Sequence, residues 1–217
     1  MPRERFHHDL RALEAAVIQM GALVEREIAH AMQALTRCDA VVAHEVVTSD
    51  GEVNALQHSI RSQCISLIAL QAPVACDLRE LTTALLVINE LERMGDHAVD
   101  IAQQALRMQN NEPHPLMVAL SAVAKLVREQ VRAAMQAFLN VNTQQAREIA
   151  AKDDEIDHRY RTIFTELINS MTSDPHIIPS ATSLLFIAHD LERIGDRVTN
   201  ICEEIIYRVT GESVERQ

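Results

Sequence analysis

The chain has 217 residues, of which 47% are apolar, so it can bury a sizeable core in one large or two small domains. With only 5 Gly and 3% aromatic residues, its composition favours helices almost throughout. The formal net charge of −11 argues against a nucleic-acid-binding protein, which would need a basic face. No apolar run approaches the roughly 18 residues that span a bilayer, and no signal peptide is recognisable. We therefore expect a soluble cytoplasmic protein without direct membrane insertion.

The four cysteines are far apart and form no Cys-x-x-Cys motif. Because they fall within apolar helical patterns, we expect buried free thiols in a reducing compartment. They are Cys38, Cys64, Cys76 and Cys202.

Apolar residues at steps of three and four predict three long helices in the first half of the chain. The first starts at Phe6 and runs for about eight turns. The second begins after Asp39, a good N-cap residue, and ends before Pro73. The third begins near Pro73 or Val74 and continues to about Arg107.

The same pattern recurs after Met108–Pro115, a polar stretch with two prolines that we interpret as a linker. The segment Ala31–Leu35 (AMQAL) recurs 103 residues later as Ala134–Phe138 (AMQAF), and the third helix recurs with an offset of 100. The sequence therefore predicts an all-α tandem duplication of a three-helix unit. Short connections make the helices antiparallel, so residues 1–109 and 110–217 are each predicted to form a three-helix bundle.

A ladder of oxygen-bearing side chains marks the third helix of each half. The spacing i, i+4, i+8 stacks them along one helix face, where like charges repel unless a cation offsets them. These residues are Glu92, Asp96 and Asp100 in the first half, and Glu192, Asp196 and Asn200 in the second.

A second set of oxygens is predicted to face each ladder across a helical hairpin, because residues equally distant from a turn lie opposite each other. Asp50 with Asp96, and Asn54 with Glu92, both average to position 73, where Pro73 is the predicted turn.

In the second half, Asp153 with Asp196, and Asp157 with Glu192, both average to 174.5, beside the predicted turn at Pro175. The two hinges thus lead independently to the same arrangement of oxygens.

Each predicted cluster holds four carboxylates and one amide, a charge that would be costly without divalent or trivalent metal ions. Such oxygens suit Mg, Mn, Ca or Fe, and they are numerous enough to bridge more than one ion. His97 is left out because Arg197 replaces it in the second half. An acidic solvated face with ordinary helix salt bridges is the alternative. The predicted metal ligands are Asp50, Asn54, Glu92, Asp96, Asp100, Asp153, Asp157, Glu192, Asp196 and Asn200.

At these residues the chain resembles the PhoU family of phosphate-uptake regulators, over nearly its whole length. Gln71–Arg79 (QAPVACDLR) and Glu92–His97 (ERMGDH) are similar to the first family signature, and Glu192–Asp196 (ERIGD) is similar to the second. Two departures are Cys76, where members often have a basic residue, and Ile177–Pro179, which replaces a second Asp-Leu-Arg.

The resemblance implies a PhoU-like six-helix fold with multinuclear metal clusters, of iron or zinc, on these motifs. It also implies a cytoplasmic accessory protein at the inner membrane, acting through its partners. Those partners are the nucleotide-binding subunit of the phosphate ABC transporter and a phosphate sensor histidine kinase. Together they would repress the starvation response when phosphate is plentiful. We also expect a homodimer, although the sequence does not fix the order of assembly.

No nucleophile dyad, phosphate-binding glycine loop or oxyanion arrangement is visible, so we do not expect an enzyme. One alternative is a carboxylate-bridged di-iron enzyme, since Glu27–His30 and Glu155–His158 each have the Glu-x-x-His spacing. Another is a purely structural helical scaffold whose acids keep the surface soluble.

Overall fold

A computed structural model describes residues 2–108 and 114–212, except for the side chains of residues 2, 3 and 50. These ranges contain seven α-helices and one 3₁₀ turn, and no strand. The predicted all-α class and the duplicated bundle are confirmed, while most of the predicted linker, and the domain boundary within it, lies outside the described residues. The helices are α1 (Pro2–Arg37), α2 (Ala40–Gln71), α3 (Cys76–Arg107), α4 (Met117–Asn140), α5 (Thr143–Ala150), α6 (Asp153–Ser173) and α7 (Ile178–Thr210).

Two helix starts differ from the prediction. Helix α1 begins at Pro2 rather than near Phe6, as proline is well suited to the first turn of a helix. Helix α3 begins at Cys76, because Ala72 and Ala75 have φ angles of 44° and 48°. These positive φ angles end α2 and keep the next helix from starting at the proline between them.

The second half divides the counterpart of α2 into α5 and α6. Asn142 caps α5 as Asp39 caps α2, each through a side-chain oxygen that accepts a backbone N–H. The new helix α6 then starts with Asp153, Asp154 and Glu155 in its first turn. Negative charge is favourable at a helix N-terminus, which is consistent with a helix start at this acidic run.

Two of the four cysteines are exposed, contrary to the sequence-based expectation. Cys64 and Cys202 are buried, whereas Cys38 follows the end of α1 and Cys76 is the first residue of α3. The apolar pattern does not indicate burial at a helix end, because side chains there are no longer covered by neighbouring helices.

The two bundles share one core, because α3 of the first packs along α7 of the second. Met94 and Ile101 of α3, and their repeat counterparts Ile194 and Ile201 of α7, are completely buried. The N-terminal helix of each half also meets its counterpart. Glu25 of α1 accepts hydrogen bonds from Arg128 and Arg132 of α4, at 2.6 to 3.0 Å.

Charged side chains at one end of the molecule tie three helices together. Arg208 of α7 binds Glu14 of α1 at 2.8 Å and Glu80 of α3 at 2.7 Å, while its guanidinium lies 5.4 Å above the ring centre of Phe138. Burial raises the pKa of Glu80 to about 7, with further upward contributions from Glu14 and Asp77 that Arg208 opposes. One arginine therefore holds two carboxylates that compete for it.

Stability should depend on the protonation of Glu80. Between about pH 4.5 and pH 7 the folded protein holds a proton that the unfolded chain has lost, so the free energy of unfolding should fall as pH rises through this window. Glu80→Gln should flatten this decline. The stability of the variant relative to the wild type should therefore rise by about 1–2 kcal/mol between pH 5 and pH 8. Urea unfolding from pH 5 to pH 8 measures this difference.

Glu25→Gln is the contrasting control. Burial alone would raise the pKa of Glu25, but Arg128 and Arg132 lower it overall, so its ion pairs stabilise the fold above the unfolded pKa of 4.5. This variant should lose about 1 kcal/mol at pH 7, and the loss should shrink in acid. Parallel pH profiles for the wild type and Glu80→Gln would contradict the assignment.

Candidate metal centre

Side chains that meet across the hairpins show that both fold in the predicted register. Gln57 Nε2 donates a hydrogen bond of 3.2 Å to Asn89 Oδ1, and these residue numbers average to 73. In the second half the rings of Tyr160 and His189 lie 6.4 Å apart, and their numbers average to 174.5. The turns themselves centre on residues 72–75 and on the 3₁₀ turn Pro175–Ile177.

In the second half, three of the predicted acids lie close enough to a fourth, Glu192, to affect its pKa. Burial raises the pKa of Glu192, and Asp196, Asp157 and Asp153 raise it further, against the opposing charge of Arg193. Glu192 Oε2 is buried and accepts no hydrogen bond from the described residues. A partly buried carboxylate in this setting favours either a proton or a cation.

Gly195 allows α6 to approach α7 at this cluster. A Cβ atom at Gly195 would lie 3.3 Å from Asp153 Oδ1 and 3.0 Å from Ile156 Cδ1. The absent side chain thus leaves space for the Asp153 carboxylate beside the backbone of α7. A glycine inside a helix costs about 1 kcal/mol relative to alanine, and this close approach explains why one is tolerated.

Arginines bind the outer acids of the second cluster, as the solvated-face alternative expects. Asp196 pairs with Arg193 at 2.7 Å, and Asp157 with Arg161 at 2.9 Å. Both are short-range pairs within one helix and partly exposed, so each contributes little stability. Neither arginine donates a hydrogen bond to the buried oxygen of Glu192. The donor set available to an ion is therefore all-oxygen, which fits the hard and borderline cations expected from the sequence.

In the predicted first cluster, Gly95 of α3 faces Val53 of α2 and Glu27 of α1. Asn54 and Glu92 are half-buried and Asp96 is exposed, while the side chain of Asp50 lies outside the described residues. A Cβ atom at Gly95 would lie 3.6 Å from Glu27 Oε2, so α1 contributes an acid that the sequence analysis did not place here.

Glu27 is only 2% exposed and accepts a hydrogen bond of 3.0 Å from Ser49. Its repeat counterpart is Gln130, which is 4% exposed and donates to the backbone oxygen of Lys152 at 3.4 Å. The sequence does contain a pattern that indicates this role: a polar residue interrupts the apolar face of both α1 and α4 at the same repeat position. Each side chain bonds to the residue just before the first predicted ligand of its half, namely Ser49 before Asp50 and Lys152 before Asp153.

A cavity of about 540 Å³ opens beside the first cluster. Glu92 and Arg93 line it, together with Arg61, which donates a hydrogen bond of 2.6 Å to Asn89. The first cluster is therefore reachable from solvent through a polar cavity.

The last member of each ladder lies at the contact between the two halves. Asn200 Nδ2 donates a hydrogen bond of 3.1 Å to Glu90 of α3, and Asp100 lies beside His97 and Asp190. Burial raises the pKa of Asp100, and the charge of Asp190 raises it further. The reason is geometric: each four-residue step turns about 40° around a helix, so after two steps the ladder faces a different neighbour.

The residues of the di-iron alternative lie in separate environments. Glu155 of α6 forms an exposed ion pair of 2.6 Å with Arg159, whereas Glu27 lies in the other bundle against Ser49. They do not form one carboxylate-bridged site.

Comparisons with known proteins identify the family and the fold. A family model described as the PhoU domain matches residues 17–105 and 120–205, one match for each half. The chain belongs to the PhoU family. The phosphate-specific transport system accessory protein PhoU homolog of Clostridium acetobutylicum is 36% identical over 216 residues, covering 99% of each chain. The accessory protein PhoU of Escherichia coli K12 is 34% identical over 96% of this chain and 86% of its own length.

Solved PhoU structures share the fold. The crystal structure of PhoU from Pseudomonas aeruginosa has a TM-score of 0.92 and 30% identity, covering 95% of this chain and 100% of that one. The PhoU structure from Streptococcus pneumoniae has a TM-score of 0.91 and 33% identity, covering 97% and 100%. PhoU relatives are named as accessory or regulatory proteins and not as enzymes, which confirms the prediction that the chain is not an enzyme. Within residues 2–108 and 114–212, no helix combines the length and apolar character needed to cross a membrane.

The two glycines provide a matched test of the cluster geometry. Gly95→Ala should stabilise the metal-free protein by up to about 1 kcal/mol, because its Cβ would make ordinary contacts and alanine favours the helix. Gly195→Ala should gain at least about 0.5 kcal/mol less, because its Cβ would press on Ile156 and Asp153. Urea unfolding in chelator measures both. Equal gains would mean that α6 does not approach α7 this closely.

Proposed function

We propose that this PhoU-family protein is a metal-binding regulatory accessory protein of phosphate transport. Full-length similarity to relatives that bear the accessory name supports the regulatory part. The observation that carries the metal-binding part is the second cluster, where a buried oxygen of Glu192 accepts no hydrogen bond among the described residues and three other carboxylates raise its pKa.

In this proposal each half binds metal through the oxygens that face each other across its hairpin. In the second half the metal ligands are Asp153, Asp157, Glu192 and Asp196. In the first half they are Asp50, Asn54, Glu92 and Asp96, with Glu27 as an additional acid. The sequence also predicts Asp100 and Asn200 as metal ligands, but these two residues lie at the contact with the other half. Iron or zinc in multinuclear clusters is proposed, with manganese or magnesium as the other oxygen-compatible ions. A bound ion would neutralise the carboxylates and hold α6 against α7.

The proposed partners are the nucleotide-binding subunit of the phosphate transporter and a sensor histidine kinase, at the cytoplasmic face of the inner membrane. The protein would repress uptake and starvation signalling when phosphate is plentiful, and would assemble as a homodimer. Exposed apolar side chains at equivalent positions in both halves support a partner-binding role. Leu86 and Phe186 are 44% and 53% exposed, and Leu78 and Ile178 are 37% and 44% exposed.

Glu192→Gln should change stability in opposite directions without and with metal. Removing a charge that its neighbours repel should stabilise the metal-free protein at pH 7.5. The same change should lower the metal content and reduce the stabilisation that added metal produces. Elemental analysis of protein purified without chelator or nickel resin, and thermal unfolding with and without metal, measure the two effects.

The control is Glu166→Gln, which removes an exposed acid from α6 and should change neither property. If Glu192→Gln and Glu166→Gln retain the wild-type metal content, the acids are a solvated surface of a structural scaffold.

Partner binding is tested by making the equivalent apolar positions polar. Leu86→Ser with Phe186→Ser should reduce capture of the transporter's nucleotide-binding subunit and of the kinase at least tenfold, because both exposed apolar sites are lost. Val118→Ser with Leu139→Ser changes exposed apolar residues of α4 and serves as the control. Unchanged capture by the first variant, with helical content preserved, would place the interface elsewhere.

A further inference from the structure

Helices α3 and α7 contact each other through two equivalent acidic positions, Glu90 and Asp190, related by the offset of 100 residues. Glu90 is matched by a cation and an amide from α7. Arg197 Nη1 lies 3.4 Å from Glu90 Oε2, and Asn200 Nδ2 donates to the same oxygen at 3.1 Å. At this position the protein supplies its own positive charge.

The equivalent position in the other direction has imidazoles instead of a guanidinium, with His97 Nδ1 3.1 Å and His189 Nδ1 3.9 Å from Asp190 Oδ1. Asp190 is 8% exposed, and the residues of α3 that face it are His97, at 3.1 Å, and Asp100. His97 is the repeat counterpart of Arg197, and Asp100 is that of Asn200. The pair that gives Glu90 one cation and one amide is therefore replaced by an imidazole and a second carboxylate.

We propose that His97, Asp100 and Asp190 bind a single divalent transition-metal ion in the place that the guanidinium of Arg197 occupies at the equivalent position. Two independent observations support this site. Ring nitrogen and carboxylate ligand atoms of the three residues lie within 4.8 Å of one another. At the equivalent position of the repeat, the carboxylate of Glu90 already pairs with a positive charge, that of Arg197.

The ligand distances and types suit zinc in particular. Tetrahedral ligands at about 2.1 Å from an ion are about 3.4 Å apart, so the three side chains, whose ligand atoms lie within 4.8 Å of one another, would rotate inward to bind it. One imidazole and two carboxylates leave a fourth position for water, and Asp100 is exposed enough to admit it. The imidazole distinguishes this site from the all-oxygen clusters of the two hairpins.

The proposed site joins the two halves, because α3 provides two ligands and α7 provides the third. A single ion there would hold the bundles together, as the pairing of Glu90 with Arg197 and Asn200 does at the equivalent position. This inference is independent of the proposed transport role, since it rests on a different face of α3 and on residues that do not meet across either hairpin.

The test exchanges the residues of the two positions. His97→Arg with Asp100→Asn copies the Arg197 and Asn200 arrangement, so it should keep the fold while the zinc content falls by one ion per chain. Arg197→His with Asn200→Asp makes the reverse exchange around Glu90 and should add one ion per chain. Zinc is the probe, measured by elemental analysis after dialysis, with X-ray absorption spectra recorded for each zinc-loaded protein.

The expected spectrum of the wild type contains imidazole scattering, which the first variant loses and the second variant increases. Zinc bound without imidazole scattering, or scattering that persists in the first variant, would overturn the proposal. Failure of the Glu192 experiment would leave these outcomes unaffected, because that residue belongs to an all-oxygen cluster.

Discussion

Carboxylates that face each other across a helical hairpin repel, and the rest of the structure must offset the free energy that this repulsion costs. In the second half, three other acids lie close enough to Glu192 to raise its pKa, in addition to the effect of burial. Their approach is made possible by Gly195, which costs helix stability and leaves room for an acid beside the backbone. A packed core of apolar residues from both halves must offset these costs, and it includes the completely buried Met94, Ile101, Ile194 and Ile201.

Much of this arrangement could be predicted because an antiparallel hairpin obeys simple arithmetic. The position of Pro73 fixes which residues face each other, and the contact of Gln57 with Asn89 has the expected register. Sequence spacing failed where rotation around the helix matters. Asp100 continues the ladder in sequence, but after eight residues it has turned towards α7 and lies beside Asp190.

Other features depended on neighbours that a single helix pattern does not reveal. Glu27 appeared in the sequence as part of an unrelated Glu-x-x-His motif, yet the packing of α1 brings it beside Gly95. The exposed Cys38 and Cys76 lie at helix ends, where the apolar period no longer indicates burial. The break between α5 and α6 has no counterpart in α2, so the repeat itself predicted a continuous helix.

The duplication preserved the backbone and allowed the side chains of the two halves to diverge. Around the first cluster Gln57 and Arg61 donate hydrogen bonds to Asn89, while the equivalent residues of the second half include the packed rings of Tyr160 and His189. The side chains beside the first cluster are thus polar, whereas those beside the second are aromatic.

The contact between α3 and α7 shows the same divergence, since Glu90 meets an arginine where Asp190 meets a histidine. A guanidinium only donates hydrogen bonds, whereas an imidazole nitrogen can also bind a metal ion. Two halves built from one pattern therefore join at two equivalent positions, and only the one at Asp190 offers the ligand types of the proposed ion.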